Sequence, residues 1–367
     1  MDSSSLETSS GSSSKRKRVY NVRSESLLPG SVSKWKRKHA ENILGIVYAK
    51  RYIPELEDLR ISGSIEELTN EQKEYVDFVN NNLTFNLSLS QFYHSSRYAE
   101  QEIIECATNI ELLQAEQKSW SVMKLKAFIR GLRNLFKNFR GYKRKSHPFE
   151  GLISGFIGKF ADLCCLDVQY CKDGHQVEWE NLKGTKVTSI PDLRLSKSGL
   201  DDTYSETMIS VVQVKPDYCY SPKQMGPQRK KFKGNPRKSS SDTGDHDSIS
   251  ETIEEEAIEL QLHDRVLGQH AGELLLDLHD KYGKVEERKY EGDKKLNALG
   301  LIVDGTCVFF TMLEMAWKHY QKLKQNEDLN PEDKATIYYS QPKDILLERE
   351  RRLLIGDLMR LNNAEFT

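Results

Sequence analysis

The sequence predicts an α/β protein, a mixed central sheet flanked by helices, preceded by a mainly helical region. Three observations carry this. Between residues 147 and 320 a helix, three strand-like runs, a second long helix and a further strand pair follow one another. Residues 33–145 place apolar side chains at helical intervals. The 367 residues are 37% hydrophobic and 30% charged, which is enough for a sizeable core but too polar for all of the chain to belong to it.

Residues 1–32 read as a disordered tail: a Ser-rich start almost without apolar groups, then a basic run, Lys15-Arg16-Lys17-Arg18. More cations, Lys34, Lys36, Arg37 and Lys38, surround Trp35. Such runs serve as nuclear localisation signals, as nucleic-acid arms, or simply as solvated tails. In the helical region, 33–145, Thr69 and Gln72 stand at capping-box spacing ahead of "KEYVDFVNN". Two long helices follow over 90–118 and 119–145.

The second of these is informative. From Lys118 to Lys145 there are ten Lys or Arg and no Asp or Glu. Lys126, Arg130, Arg133, Lys137 and Arg140 recur every three or four residues and line one face; Leu125, Phe128, Ile129, Leu132, Phe136 and Phe139 line another. A merely solvated face mixes both signs to limit repulsion, so a row of cations without acids points to a polyanion. Phosphate contacts from such a row bind nucleic acid with strong salt dependence and little sequence preference. An anionic membrane surface is the alternative.

The core spans 146–325. "HPFEGLISGFIGKFADL" is a helix with Pro148 in its first turn. "CCLDVQYCKD" and "VTSIPDLRLSK" are strands, Pro191 standing where a missing N–H is least harmful. "TMISVVQVK" has the nearly continuous apolar character of a strand buried on both faces. A charged loop is inserted at 221–250. Its first part, "SPKQMGPQRKKFKGNPRK", holds seven basic residues, Lys230 and Lys231 among them, and no acidic one. The stretch that follows, to Glu259, holds eight acidic residues and no basic one, with Ser250 as a helix N-cap. A long helix, "EAIELQLHDRVLGQHAGELLLDLHDKY", leads to a strand pair turning at Asp304-Gly305 and a helix "LEMAWKHYQKL". Residues 326–367 read as a linker and a final helix.

No stretch approaches the apolar length of a membrane span, and the start of the chain lacks a secretory h-region. The six cysteines show neither CxxC pairs nor finger spacing, which fits free, buried thiols in a reducing intracellular compartment. His147 and His175 have no partner at ligand spacing. Gln261, Gln269 and His270 are polar on an otherwise apolar helix and read first as surface or inter-helix hydrogen-bonding groups.

The order of elements, with Pro191-Asp192 on the second strand and Gln213-Val214-Lys215 on the third, resembles the PD-(D/E)XK nuclease superfamily, whose restriction-endonuclease-like core is helix, three strands, helix, strand. "GLIVDGTCVFF" is similar to a strand pair in several restriction-like and eukaryotic mobile-element-associated members. The resemblance covers about residues 147–320. It implies that Asp192 is a metal-binding aspartate, that Lys215 positions or activates the attacking water, and that Glu150 is the glutamate often present in the first helix. The position before x-Lys departs from the pattern, because Gln213 stands where the family has Asp or Glu.

The resemblance thus implies Mg²⁺ or Mn²⁺ held by Glu150, Asp192 and Gln213, with Lys215 and Gln213 in the catalytic group and DNA as substrate. An amide oxygen still coordinates a hard cation but brings no charge. Metal binding then persists at higher metal concentration, or Glu150 supplies the missing charge, or the fold serves as an inactive module that binds nucleic acid or protein.

Overall fold

The structure, a computed structural model, describes residues 27–53, 65–94, 96–116, 119–141, 149–171, 176–197, 208–215, 258–283 and 294–364. The basic run at 15–18, the insertion at 221–250, His147 and His175 lie outside them. Along the chain stand a 3-10 turn at Val32–Lys34, α1 (Arg37–Leu44), β1 (Ile46–Tyr48), α2 (Asn70–Asn82), α3 (Leu89–Tyr93), α4 (Arg97–Glu116), α5 (Trp120–Gly141) and α6 (Phe149–Leu163). Then come β2 (Leu166–Tyr170), β3 (Val177–Leu182), β4 (Thr185–Ser189), β5 (Leu193–Lys197), β6 (Met208–Lys215), α7 (Ile258–Gln261) and α8 (Asp264–Tyr282). The chain closes with β7 (Lys295–Asp304), β8 (Cys307–Ala316), α9 (Trp317–Lys324), β9 (Ala335–Tyr339), β10 (Lys343–Asp344) and α10 (Glu348–Leu361).

The fold is mixed α/β. The main sheet runs β1-β9-β8-β7-β6-β5-β2, with β10 paired to β8. β2, β5 and β6 are successive antiparallel neighbours, and β7 lies parallel to β6, with α8 between them in sequence. Strand alternation sorts the apolar residues onto two faces. Leu193, Leu195, Val212, Val214, Leu299, Leu301, Val303, Val308, Phe310 and Met312 share one core with α2, α4, α5, α6 and α10. Leu296, Ala298, Ile302, Phe309, Leu313 and Met315 share the other with α1, α8 and α9. The central strands are therefore buried on both faces, as the β-branched run of β6 predicts, and each fully buried Leu, Ile or Phe contributes about 1.5–3 kcal/mol.

Several elements follow their sequence signals closely. Thr69 caps α2, its hydroxyl accepting from Gln72 N while the Gln72 side chain accepts from Thr69 N. On α5, Leu125, Phe128, Ile129, Leu132 and Phe136 are buried against α4 and α6. The Phe139 side chain lies outside the described ones.

Others differ, for physical reasons. The run read as one strand around Pro191 is two strands in two sheets. Thr185–Ser189 completes a β3–β4 hairpin, and Leu193–Lys197 enters the main sheet. Pro191, which has no N–H to donate, sits at the break. The hairpin turns at Lys183 (φ 49°) and Gly184 (φ 78°), a left-handed pair of the kind two-residue hairpins require. It docks on α8 through Trp179, whose ring stacks on His279 at 3.8 Å, while His279 Nδ1 meets the Tyr320 hydroxyl at 2.8 Å.

The long second helix is broken into α7 and α8 at Leu262-His263, where His263 is extended and its ring accepts from Arg265 N. β8 runs to Ala316, the full extent of its strand-like run, so the helix begins only at Trp317 rather than at Leu313. Residues 326–367 supply β9 and β10 as well as α10, so this stretch is part of the sheet and its core rather than a linker alone. β1 likewise joins the sheet edge from the helical region.

Candidate functional site

The antiparallel β5–β6 ladder begins at Leu193↔Val212. One residue before β5, half-buried Asp192 extends the joint with its side chain: Oδ2 accepts from Val214 N at 2.8 Å. The Pro191 break places it there, because the chain turns out of the β3–β4 hairpin just as it reaches β6. A hydrogen bond to a carboxylate contributes about 1.5–3 kcal/mol, so the aspartate is held firmly against the main chain of Gln213–Lys215. Gln213 pairs with Ile302, and Lys215, the last residue of β6, pairs with Asp304, the last residue of the parallel strand β7. The side chains of Gln213 and Lys215 lie outside the described ones. Asp304 is buried.

Glu150 is half-buried in the first turn of α6, where the Ser154 hydroxyl donates to its carbonyl. α6 packs on the face of the sheet opposite α8. The structure thus joins Asp192 to the strand segment that carries Gln213 and Lys215, and places Glu150 on a helix of the other layer. Among the described residues, no group of three or more His, Cys, Asp or Glu stands close enough to hold a metal ion.

A band of polar side chains between β5 and α8 carries no signature motif. Leu193 and Leu195 belong to the α6-side core, so Arg194 between them faces α8. It is 7% exposed, and its Nη2 lies 3.6 Å from Asp277 Oδ1. Burial pushes the Asp277 carboxyl up to about 6, against the pull of Arg194. One turn earlier on α8, buried Glu273 receives a hydrogen bond at 2.8 Å from the Gln269 amide. Cys171, just past β2, lies within electrostatic range of these groups. Burial raises its thiol, Arg194 opposes that, and Asp192, Glu273 and Asp277 reinforce it.

Two signals mark this band in the sequence. Arg194 stands two residues after Asp192 in an alternating strand, and Gln269, Glu273 and Asp277 recur every fourth residue on an apolar helix. Gln269 and His270 are buried rather than surface groups: Gln269 bonds within α8 to Glu273, and His270 Nε2 meets Thr311 Oγ1 of β8 at 2.7 Å.

On α5, Arg130 and Lys137 are exposed and Arg133 is half-buried. Among the described residues none of the three forms an ion pair. Lys126 is half-buried and donates to the Gln114 side chain of α4. Lys124 is taken by Asp162 at 3.0 Å. The Arg140 side chain, and Lys230 and Lys231 entirely, lie outside the described residues. No helix among the described residues is long and apolar enough to cross a membrane.

No family model and no curated protein matches the chain.

Proposed function

We propose that the chain is a nuclease-like protein with a restriction-endonuclease-like core, acting on DNA phosphodiester bonds with Mg²⁺ or Mn²⁺. The observation that carries this reading is the 2.8 Å bond from Val214 N to Asp192 Oδ2, within a run of α6, β2, β5, β6, α8 and β7. That order supports a helix–three strands–helix–strand core in which the β3–β4 hairpin is an insertion. Asp192, Glu150 and the Gln213 amide are hard oxygen donors, which suits either cation in kind. When bound, the cation supplies charge neutralisation at the phosphate.

The remaining roles belong to the chain. Asp192 is oriented by β6, and Lys215 is assigned to hold the attacking water or the charge that develops on phosphorus. Arg130, Arg133 and Lys137, with Lys126 and Arg140 on the same helix, track the DNA backbone. The Lys15–Arg18 run and the Lys230-Lys231 pair belong to this reading as additional phosphate contacts, and the former underlies a nuclear location.

A second reading is favoured by one residue. Gln213 removes a negative charge from the position beside Asp192, which suits a module that binds nucleic acid without cutting it.

Plasmid nicking by the purified chain in Mg²⁺ or Mn²⁺ tests both. Asp192→Ala and Lys215→Ala are each expected to reduce nicking by about 10²–10⁴-fold. Gln213→Glu is expected to lower the metal concentration required. Cleavage that survives both alanine substitutions removes the site assignment. Salt-sensitive DNA binding without nicking selects the module. Replacing Arg130, Arg133 and Lys137 together by Gln should reduce the log–log salt slope of binding by about 2–3.

A further inference from the structure

Two arginines are buried among the described residues, and they are treated differently. Arg351 of α10, 1% exposed, spends its terminal nitrogens on four carbonyls: Nη1 donates to Ile345 and Leu346, Nη2 to Leu83 and Phe85. It is a structural arginine with its donors satisfied. Arg194 of β5, 7% exposed, is not. Its Nη2 reaches Asp277 only at 3.6 Å, beyond hydrogen-bonding range, and its Nε has no acceptor among the described residues. A buried guanidinium with an open donor edge is costly unless an anion completes it. The Nε–Nη2 edge is a planar fork that matches two oxygens of a phosphate.

The position of that edge identifies the anion. Arg194 follows Asp192 by two residues, and Asp192 is bonded to β6 beside Lys215. Asp277, whose side chain keeps 21% of its surface exposed, borders the fork from α8. It is a poorly matched counter-ion, since its Oδ1 stands 3.6 Å from Nη2 and burial disfavours its charged form. An incoming phosphate therefore displaces a weak partner.

We propose that Arg194 is a phosphate-contacting residue of the β5–β6 site, its open Nε–Nη2 edge taking two oxygens of a nucleic-acid phosphate in place of Asp277. This rests on the nucleic-acid reading above and adds to it a substrate contact on the sheet itself, separate from the α5 row.

The test uses the full chain and a short DNA duplex. Affinity and salt slope are measured for the wild type, Arg194→Gln, Arg194→Lys and Asp277→Asn, with thermal melts to confirm folding. Arg194→Gln should weaken binding about tenfold and reduce the salt slope by about 1. Arg194→Lys keeps the charge without the fork and should restore the slope but not the affinity. Asp277→Asn keeps the arginine, frees the fork and should tighten binding severalfold, so the proposal stays testable if Arg194→Gln does not fold. Inorganic phosphate as competitor should lose potency against Arg194→Gln. Equal potency against both proteins places the phosphate contact elsewhere.

Unchanged affinity and slope in folded Arg194→Gln, or in Asp277→Asn, overturn the proposal. If at the same time the α5 variant loses DNA and Asp192→Ala abolishes nicking, the nuclease-like reading stands and only the Arg194 contact fails. A wild-type chain that binds no DNA overturns both.

Discussion

His270 offers a direct test of how the sheet and α8 are packed. Its imidazole is fully buried, one nitrogen facing Thr311 Oγ1 at 2.7 Å and Nδ1 without a hydrogen-bond partner among the described residues. Burial lowers its pKa from 6.5 to about 3, because a charged ring there would lose its water. The unfolded chain therefore binds this proton more readily than the folded one. The associated stability is fully present above pH 6.5 and is lost as pH falls from 6.5 towards 3.

A depression from 6.5 to about 3 is worth about 5 kcal/mol in full, of which about 2 kcal/mol is lost by pH 5. His279, lowered to about 4, acts in the same direction, whereas Asp277, raised to about 6, gains a proton in the folded state and opposes them. His270→Gln isolates the one group, since an amide can still meet Thr311 but does not titrate. Urea unfolding of the two proteins at pH 7.5 and pH 5 gives the comparison. The wild type should lose about 2 kcal/mol more than the variant between these pH values. Equal losses would show that His270 reaches water in the native state and would refute the packing of α8 on β7 and β8 described above.

Three further outcomes follow from the packing. Arg351→Met strands the carbonyls of Leu83, Phe85, Ile345 and Leu346 and should lower the unfolding free energy by about 3–5 kcal/mol in urea titration. Gly268→Ala would put a methyl 2.2 Å from the Lys36 carbonyl carbon, so α1 must lift from α8 at a cost of about 1–3 kcal/mol in thermal melts, whereas Gly356→Ala on α10 meets nothing within 4 Å and should gain about 0.5–1 kcal/mol.

What was legible in the sequence was local. The stripe on α5, the capping box of α2 and the apolar run of β6 each depend on residues within a turn or two, and each element forms where its spacing places it. The β3–β4 hairpin and β9 were missed because five- or six-residue alternating runs acquire meaning only from their partners. β9 pairs with β8 across about two dozen residues, and Pro191 hides a change of sheet inside what reads as one strand. The site divides in the same way. Asp192 and Lys215 carry a recognisable pattern, but the bond from Val214 N to the Asp192 carboxylate spans 22 positions. Arg194, Glu273 and Asp277 belong to no motif, and their spacing along β5 and α8 gains meaning only when the two elements are laid together.

That band changes the reading of Gln213. Taken alone, the amide is a missing ligand. In place, it adjoins Val214, whose N–H already holds Asp192, and the neighbouring band contains Glu273 and Asp277, the latter 3.6 Å from buried Arg194. Burial has already raised the Asp277 carboxyl to about 6 beside that arginine. A carboxylate at 213 would add a further negative charge to a region that already holds Asp192, Glu273 and Asp277, and their mutual repulsion would raise the cost of the folded state wherever no cation intervened. A neutral side chain avoids that repulsion, and α8 keeps acidic groups close to the strand ends. The glutamine is therefore compatible with a site whose negative charge is spread between the sheet and the following helix.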